Sequence, residues 1–76
     1  MNNQLNTQVS INEAVVVKRG PGHFLISSAG RTLDFNYNPG PVFKLATSRG
    51  LKVVNNTSQK GQAILAKANI FLFPSN

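Results

Sequence analysis

The clearest alternation of apolar and polar residues in the chain is Arg31–Tyr37, with the sequence RTLDFNY. Its apolar residues Leu33, Phe35 and Tyr37 alternate with polar residues. Successive side chains of a strand point to opposite faces of a sheet, so this alternation places the three apolar side chains on one face. The stretch therefore predicts a β-strand with one buried face and one solvent-facing face.

Glycine and proline bound this strand and recur along the rest of the chain. Ser28–Gly30 precedes it and Asn38–Pro41 follows it. Between such breaks lie short apolar, β-branched or aromatic runs, which are typical of all-β domains. The predicted strands are Ala14–Lys18, His23–Ser27, Arg31–Tyr37, Val42–Thr47, Leu51–Val54 and Gln62–Phe73. We therefore predict an all-β fold, a small antiparallel β-sandwich or barrel of about six strands.

The last of these segments, Gln62–Phe73, contains residue types that suit two structures. Ala63–Ala68 would tolerate a helix, whereas Ile70–Phe73 is strongly strand-like. A period of two gives the segment an apolar face, and we predict one long strand. Its second face is also apolar near the C-terminus, so the core of the monomer or a neighbouring subunit would cover that face.

The length of 76 residues allows one domain. Met1–Ser10 is polar and uncharged, so we predict a flexible N-terminal arm over residues 1–12 and a single β domain over residues 13–76. The chain has no cysteine, which excludes disulfides and thiolate metal sites as sources of stability. Because a core of this size contributes little net stability, self-association is expected.

Eight Lys and Arg against two acids give a net charge of +6. Charged residues make up only 13% of the chain, so the positive sign comes from missing acids rather than from abundant cations. A charged partner is therefore expected to be anionic. No apolar stretch is long enough to cross a membrane and the first residues do not resemble a secretory signal, so we expect a cytoplasmic protein without a membrane partner.

Groups that could perform catalysis are scarce in this sequence. General acid–base chemistry needs paired titratable groups, and the chain has one histidine, His23, and two distant acids, Glu13 and Asp34. A single histidine cannot hold a metal ion, and its place after Gly20–Gly22 favours a turn or packing role. We therefore expect no enzymatic activity, no catalytic or metal-binding residues and no cofactor.

The basic residues are spread along the chain at about one per strand or turn. They are either solvated surface charge or, if folding or symmetry gathers them, a surface for a nucleic-acid backbone. The candidate contact residues are Lys18, Arg19, Arg31, Lys44, Arg49 and Lys52. Phe24, Phe35, Tyr37 and Phe43 could stack on bases, although their alternation with polar residues favours a place in the core.

Three motifs between Val17 and Phe73 carry a family resemblance. They are the turn and strand Gly20–Leu25, the alternating strand Leu33–Tyr37, and Gly50–Ser58, in which a short strand leads into Asn-Thr-Ser. In this order they resemble the small β-sandwich virion proteins of tailed bacteriophages, which decorate capsids or form minor structural parts. This resemblance implies an all-β fold and a place in a virion.

Ala14–Lys18 and Thr57–Phe71 look like the opening strand and a later strand of a second family. That family is the ring-forming tryptophan RNA-binding attenuation proteins, which are also all-β. The chain departs from them at their Lys-x-Arg-Gly-Lys cluster, where it has Leu65-Ala66-Lys67. No RNA-binding residue is carried over from the resemblance.

Two hypotheses of function follow from the sequence. The first is a structural protein that forms a homo-oligomer or binds other virion proteins, with Val9, Ile11, Phe71 and Phe73 in the protein interface. Its location would be a virion made in the host cytoplasm. The alternative is a small basic β-module that binds nucleic acid through the scattered Lys and Arg residues, either alone or as a ring.

Overall fold

A computed structural model describes residues 8–70. The elements in chain order are β1 Glu13–Arg19, β2 Gly22–Ser27, β3 Thr32–Asn36, α1 Pro39–Ser48, β4 Lys52–Val54 and α2 Gln59–Lys67. The strands form one sheet in the order β3-β2-β1-β4. The pairs β1–β2 and β2–β3 are antiparallel, and β1–β4 is parallel. The prediction of an all-β sandwich or barrel is therefore wrong, because the fold is mixed α/β.

The core lies on both faces of β1, which runs through the middle of the sheet. On one face Val15 and Val17 pack with the α2 residues Ile64 and Leu65. On the other face Ala14 and Val16 form a second cluster, which includes Leu25 of β2 and Val42 and Ala46 of α1. One helix covers each face, so the layers are helix, sheet and helix. A strand that is buried on both faces accounts for the unbroken apolar run Ala14–Val17.

Helix α1 occupies the segment predicted as a turn followed by the strand Val42–Thr47. Pro39 takes the first helical position, where its missing N–H is not needed and its fixed φ suits a helix. Val42 and Ala46, four residues apart, turn the same side towards the sheet. The helix ends in a Schellman motif, in which Gly50 has a φ of +71° and the Leu51 N–H donates to the Ala46 carbonyl at 2.9 Å.

Helix α2 replaces the first half of the long strand predicted over Gln62–Phe73. Ser58 caps its first turn by accepting a hydrogen bond from the Gly61 N–H at 3.0 Å. Asn69 then adopts a φ of 60°, and the Ile70 N–H donates to the Leu65 carbonyl at 2.8 Å, which forms a second Schellman motif. The predicted strand is wrong over Gln62–Lys67, and its residues 71–73 lie outside the described residues.

The strand predicted from Arg31–Tyr37 is confirmed as β3, but its apolar residues do not share one face. The register between β2 and β3 shifts at Leu25/Ile26. This bulge turns Leu33 towards the α1 side of the sheet, where it packs against the second cluster. Phe35 pairs with Phe24 on the α2 side. A bulge of one residue thus breaks the alternation that identified the strand.

Part of the predicted N-terminal arm is described, and it lies against the domain. Val9 packs against the core cluster on the α2 side. The Glu13 N–H donates to the Ser10 carbonyl at 3.0 Å, which closes a turn just before β1. Residues 1–7 of the arm lie outside the described residues. Neither of the helices described between residues 8 and 70 is long and apolar enough to cross a membrane.

Candidate nucleic-acid interface

Four basic residues come from three connections at the end of the sheet where β1 begins. Arg31 follows the β2–β3 turn, Arg49 and Lys52 flank the α1–β4 connection, and Lys67 ends α2. We call Arg31, Arg49, Lys52 and Lys67 the basic end. The Lys52 N–H donates to the Asn12 carbonyl at 2.7 Å, and a Cβ on Gly30 would lie 2.8 Å from the Lys67 backbone. Turns that are distant in sequence are therefore close in space.

The width of the basic end follows from the order of the strands. Arg31 leads into β3 and Lys52 begins β4, and these are the two outer strands of the sheet. Three strand spacings separate them, or about 14 Å. Arg49 lies beside Lys52 in the chain, and Lys67 lies against the turn that holds Arg31. The basic end thus has two pairs of cations, one near each edge of the sheet.

The single acid close to this end, Glu13, is already paired within the fold. Its buried carboxylate accepts a hydrogen bond from the Ser10 N–H at 2.8 Å and from Lys60 Nζ at 2.9 Å. The Ser10 hydrogen bond, followed by the Lys60 hydrogen bond and more distant attraction from Lys52, lowers the pKa of Glu13 below its ordinary 4.5. Among residues 8–70 this is the only ion pair. Glu13 is therefore paired with Lys60, and Lys52, its cross-strand partner, is the member of the basic end that its charge also reaches.

An aromatic cluster lies near the opposite end of β3, on the α2 side of the sheet. The ring centroids of Phe24 and Phe35 are 4.7 Å apart, and those of Phe35 and Tyr37 are 5.3 Å apart. The Phe35 ring lies over Gly22, where a Cβ would collide with it. Arg19 is the cross-strand partner of Gly22. We call Phe24, Phe35 and Tyr37, with Arg19 beside them, the aromatic patch.

The aromatic patch is exposed because α2 does not extend over β3. Helix α2 packs on β1 and β2. Phe35 is 41% exposed and Tyr37 is 66% exposed. Phe43, on α1 and thus on the other side of the sheet, is the other exposed aromatic residue in residues 8–70, at 45%. The prediction that these aromatic side chains lie in the core is therefore wrong for Phe35, Tyr37 and Phe43. Phe24 is partly buried and packs against the core.

The structure brings together only some of the six predicted nucleic-acid contacts. Arg31, Arg49 and Lys52 lie at the basic end, whereas Lys18 and Arg19 lie at the other end of β1. Lys44 is exposed on α1. The fourth member of the basic end, Lys67, was missed by the sequence prediction. Its position could have been found only by interpreting Gln59–Lys67 as a helix.

The residues predicted for a protein interface occupy different positions. Val9 packs into the core, and Ile11 is 91% exposed just before β1. Phe71 and Phe73 lie outside the described residues. His23 begins β2, and its Nδ1 lies 3.0 Å from the Tyr37 carbonyl oxygen, which can only accept. His23 therefore anchors the backbone of the aromatic patch.

An open cavity of about 420 Å³ lies on the α1 side, where β1 and β4 stop pairing. It is lined by Val16, Phe43, Val53, Val54, Asn55 and Asn56. The Asn56 amide donates to the Val16 carbonyl at 3.1 Å and so extends the sheet edge beyond β4. These lining residues include no titratable side chain. Within residues 8–70 no group of three His, Cys, Asp or Glu side chains could hold a metal ion.

Comparison of the chain with protein-family models, with curated proteins and with solved structures found no match.

Proposed function

We propose that this protein binds nucleic acid, with the basic end contacting backbone phosphates. The observation that carries the proposal is the gathering of Arg31, Arg49, Lys52 and Lys67 at one end of the sheet, where Glu13 is the nearby acid and is paired with Lys60. A polyanion supplies the opposite charge to such a set of cations and releases its own counterions when it binds them. A phosphate backbone is such a polyanion.

The chemistry of the side chains also supports phosphate as the ligand. Arg31 and Arg49 carry planar guanidinium groups, which can donate two parallel hydrogen bonds to one phosphate. Lys52 and Lys67 add compact charges on flexible stems. Contacts of this kind read the backbone rather than the bases, so binding is expected to depend little on sequence.

The test is the salt dependence of binding to a fluorescently labelled DNA duplex, followed by anisotropy. Affinity should fall steeply between about 50 and 200 mM salt, and Arg49→Gln and Lys52→Gln should each reduce the slope of log K against log salt by about 1. Lys44→Gln, which removes an exposed cation away from the basic end, is the matched control and should leave the slope nearly unchanged. A wild-type affinity that does not respond to salt would contradict the proposal.

The alternative proposal is the assembly protein, a homo-oligomer or a partner of other virion proteins. The exposure of Ile11 at 91% favours it, because a large apolar side chain that contacts little of its own chain suits an interface. Both family resemblances imply an all-β domain, so the mixed α/β fold lends them no support. Light scattering after size exclusion separates the proposals, since a salt-resistant oligomer free of nucleic acid would favour assembly.

A further inference from the structure

The aromatic patch and the basic end lie at opposite ends of one strand. Arg31 precedes β3 and Tyr37 follows it. Six residue steps in an extended chain span about 20 Å. Arg19, across the β1–β2 pair from Gly22, begins on the same face of the sheet as the Phe35 ring. A path along β3 therefore leads from clustered cations to exposed rings.

The fold holds these rings in place on the surface. Gly22 has no side chain, so the Phe35 ring can lie directly over the sheet. Phe24 supports Phe35 from one side, and Tyr37 contacts it edge-on from the other. The hydrogen bond between His23 Nδ1 and the Tyr37 carbonyl fixes the backbone just after β3. The rings are therefore positioned before any ligand arrives, which reduces the entropy lost on binding.

We infer that the ligand is single-stranded nucleic acid, with unpaired bases stacking on Phe35 and Tyr37 while its phosphates contact Arg19 and the basic end. This inference rests on the proposed function and adds the class of nucleic acid. Stacking requires an accessible base face, and in a duplex neighbouring base pairs cover those faces. Exposed rings on a chain with a net charge of +6 match a ligand that has both apolar flat surfaces and negative charge.

Charge argues against a second copy of this chain as the occupant of the patch. Each copy has a net charge of +6, and a symmetric contact through the patch would bring Arg19 towards the same surface of its partner. Like charges facing each other across an interface oppose association. A single nucleic-acid strand supplies the opposite charge at every nucleotide.

The experiment uses Tyr37 as its own probe, because the chain has one tyrosine and no tryptophan. A short oligothymidylate and a hairpin duplex of equal charge are titrated into the full chain, and tyrosine emission and affinity are recorded. The single strand should quench Tyr37 emission and bind more tightly than the duplex. The duplex should bind through the basic end and leave the emission nearly unchanged.

The key variant is Tyr37→Ala, and the matched control is Phe43→Ala, which removes an exposed ring from the opposite side of the sheet. Tyr37→Ala should weaken binding of the single strand about 5- to 10-fold, while Tyr37→Phe and Phe43→Ala should change it less than about twofold. The affinity for the duplex should be equal in the wild type and in the three variants. Circular dichroism melting confirms that each variant folds.

Three outcomes would overturn the inference, and each has a different meaning for the proposed function. Equal affinity for single strand and duplex, with no effect of Tyr37→Ala, would remove the stacking site and leave phosphate binding intact. Binding to neither oligonucleotide would remove both proposals. An oligomer detected by light scattering that Tyr37→Ala dissociates would assign the patch to a second copy of the chain.

Discussion

At the scale of single residues, Gly61 shows how one missing side chain positions a helix. It is buried in the first turn of α2, and a Cβ there would collide with the Asn55 carbonyl oxygen and lie 2.8 Å from the Asn56 Cα. Both of these contacts are with backbone, which cannot rotate away as a side chain can. The close approach lets the first turn of α2 pack on the backbone of Asn55 and Asn56, so the absence of a side chain at Gly61 fixes where the helix crosses the sheet.

Gly61→Ala is therefore expected to lower the free energy of unfolding by about 2 to 3 kcal/mol, because the new methyl group forces the helix away from the turn. Gly40, in the first turn of α1, is the matched control, since a Cβ there would meet nothing within 4 Å. Gly40→Ala adds only the steric restriction that Pro41 places on a preceding residue with a side chain, so it should lower the free energy of unfolding by less than Gly61→Ala does. Urea denaturation measures both. Equal effects would contradict the role of the backbone contact.

Individual turn residues could be predicted from the sequence, whereas the role of Gly61 could not. Gly20, Gly30 and Gly50 were placed in turns, and all three have positive φ. Gly61 stands between the predicted strands Leu51–Val54 and Gln62–Phe73, but it lies inside a helix. A glycine that is required because its φ is positive can be recognised from the sequence, since it lies in a turn between two predicted strands. A glycine required for space depends on which backbone packs against it, and that is fixed only by the fold.

At the scale of elements, the two helices begin in different ways. Ser58 caps α2 by accepting from the Gly61 N–H, and its hydroxyl also donates to the Asn55 carbonyl at 2.6 Å. Asn38, at the same position of α1, makes no side-chain cap hydrogen bond. In α1 the prolines Pro39 and Pro41 lack N–H groups, so fewer donors need an acceptor there. Capping therefore contributes to the stability of α2 more than to that of α1.

Ser58→Ala should accordingly lower the free energy of unfolding by about 1 kcal/mol. Asn38→Ala, at the matched position of α1, should change it by less than about 0.5 kcal/mol, because no hydrogen bond is lost. Chemical denaturation with far-ultraviolet circular dichroism reports both values. If Asn38→Ala were as costly as Ser58→Ala, the difference between the two helix starts would be disproved.

The strands β1, β2, β3 and β4 were predicted close to their observed places, but both helices were predicted as strands. Each helical segment is short, and a short apolar run fits a period of two or of 3.6 equally well. Pro39 and Pro41 were taken as breaks, although proline in the first turn is compatible with a helix. The decisive signals were Gly50 and Asn69, each followed by an apolar residue that completes a Schellman motif.

For the molecule as a whole, the members of the basic end could be predicted only as far as the helices were recognised as helices. Arg31 and Lys52 belong to strand ends and were among the predicted contacts. Lys67 joins them only because α2 folds back across the sheet and brings its last residue to Gly30. The sign of the charge could thus be read from composition, while its concentration at one end depends on the packing of helices that the sequence pattern had not revealed.

Acid sensitivity is a property of the whole molecule that depends on Glu13, one of its two acidic side chains. Glu13 joins β1 to Lys60 of α2, and its hydrogen bonds lower its pKa in the folded state below the ordinary 4.5. A lowered folded-state pKa means that the unfolded chain binds the proton more readily. The stabilisation is therefore complete above about pH 4.5 and is lost as the pH falls through the lowered value.

We expect the urea midpoint of the wild type to fall as the pH drops below about 4.5, because protonation of Glu13 breaks the contact with Lys60 and raises the net positive charge. Glu13→Gln should have a lower midpoint at neutral pH and a flatter dependence on pH over the acid range. Asp34→Asn leaves the Glu13 pair in place and should keep the steep decline. A wild-type midpoint that stays constant in acid would show that this pair does not hold β1 and α2 together.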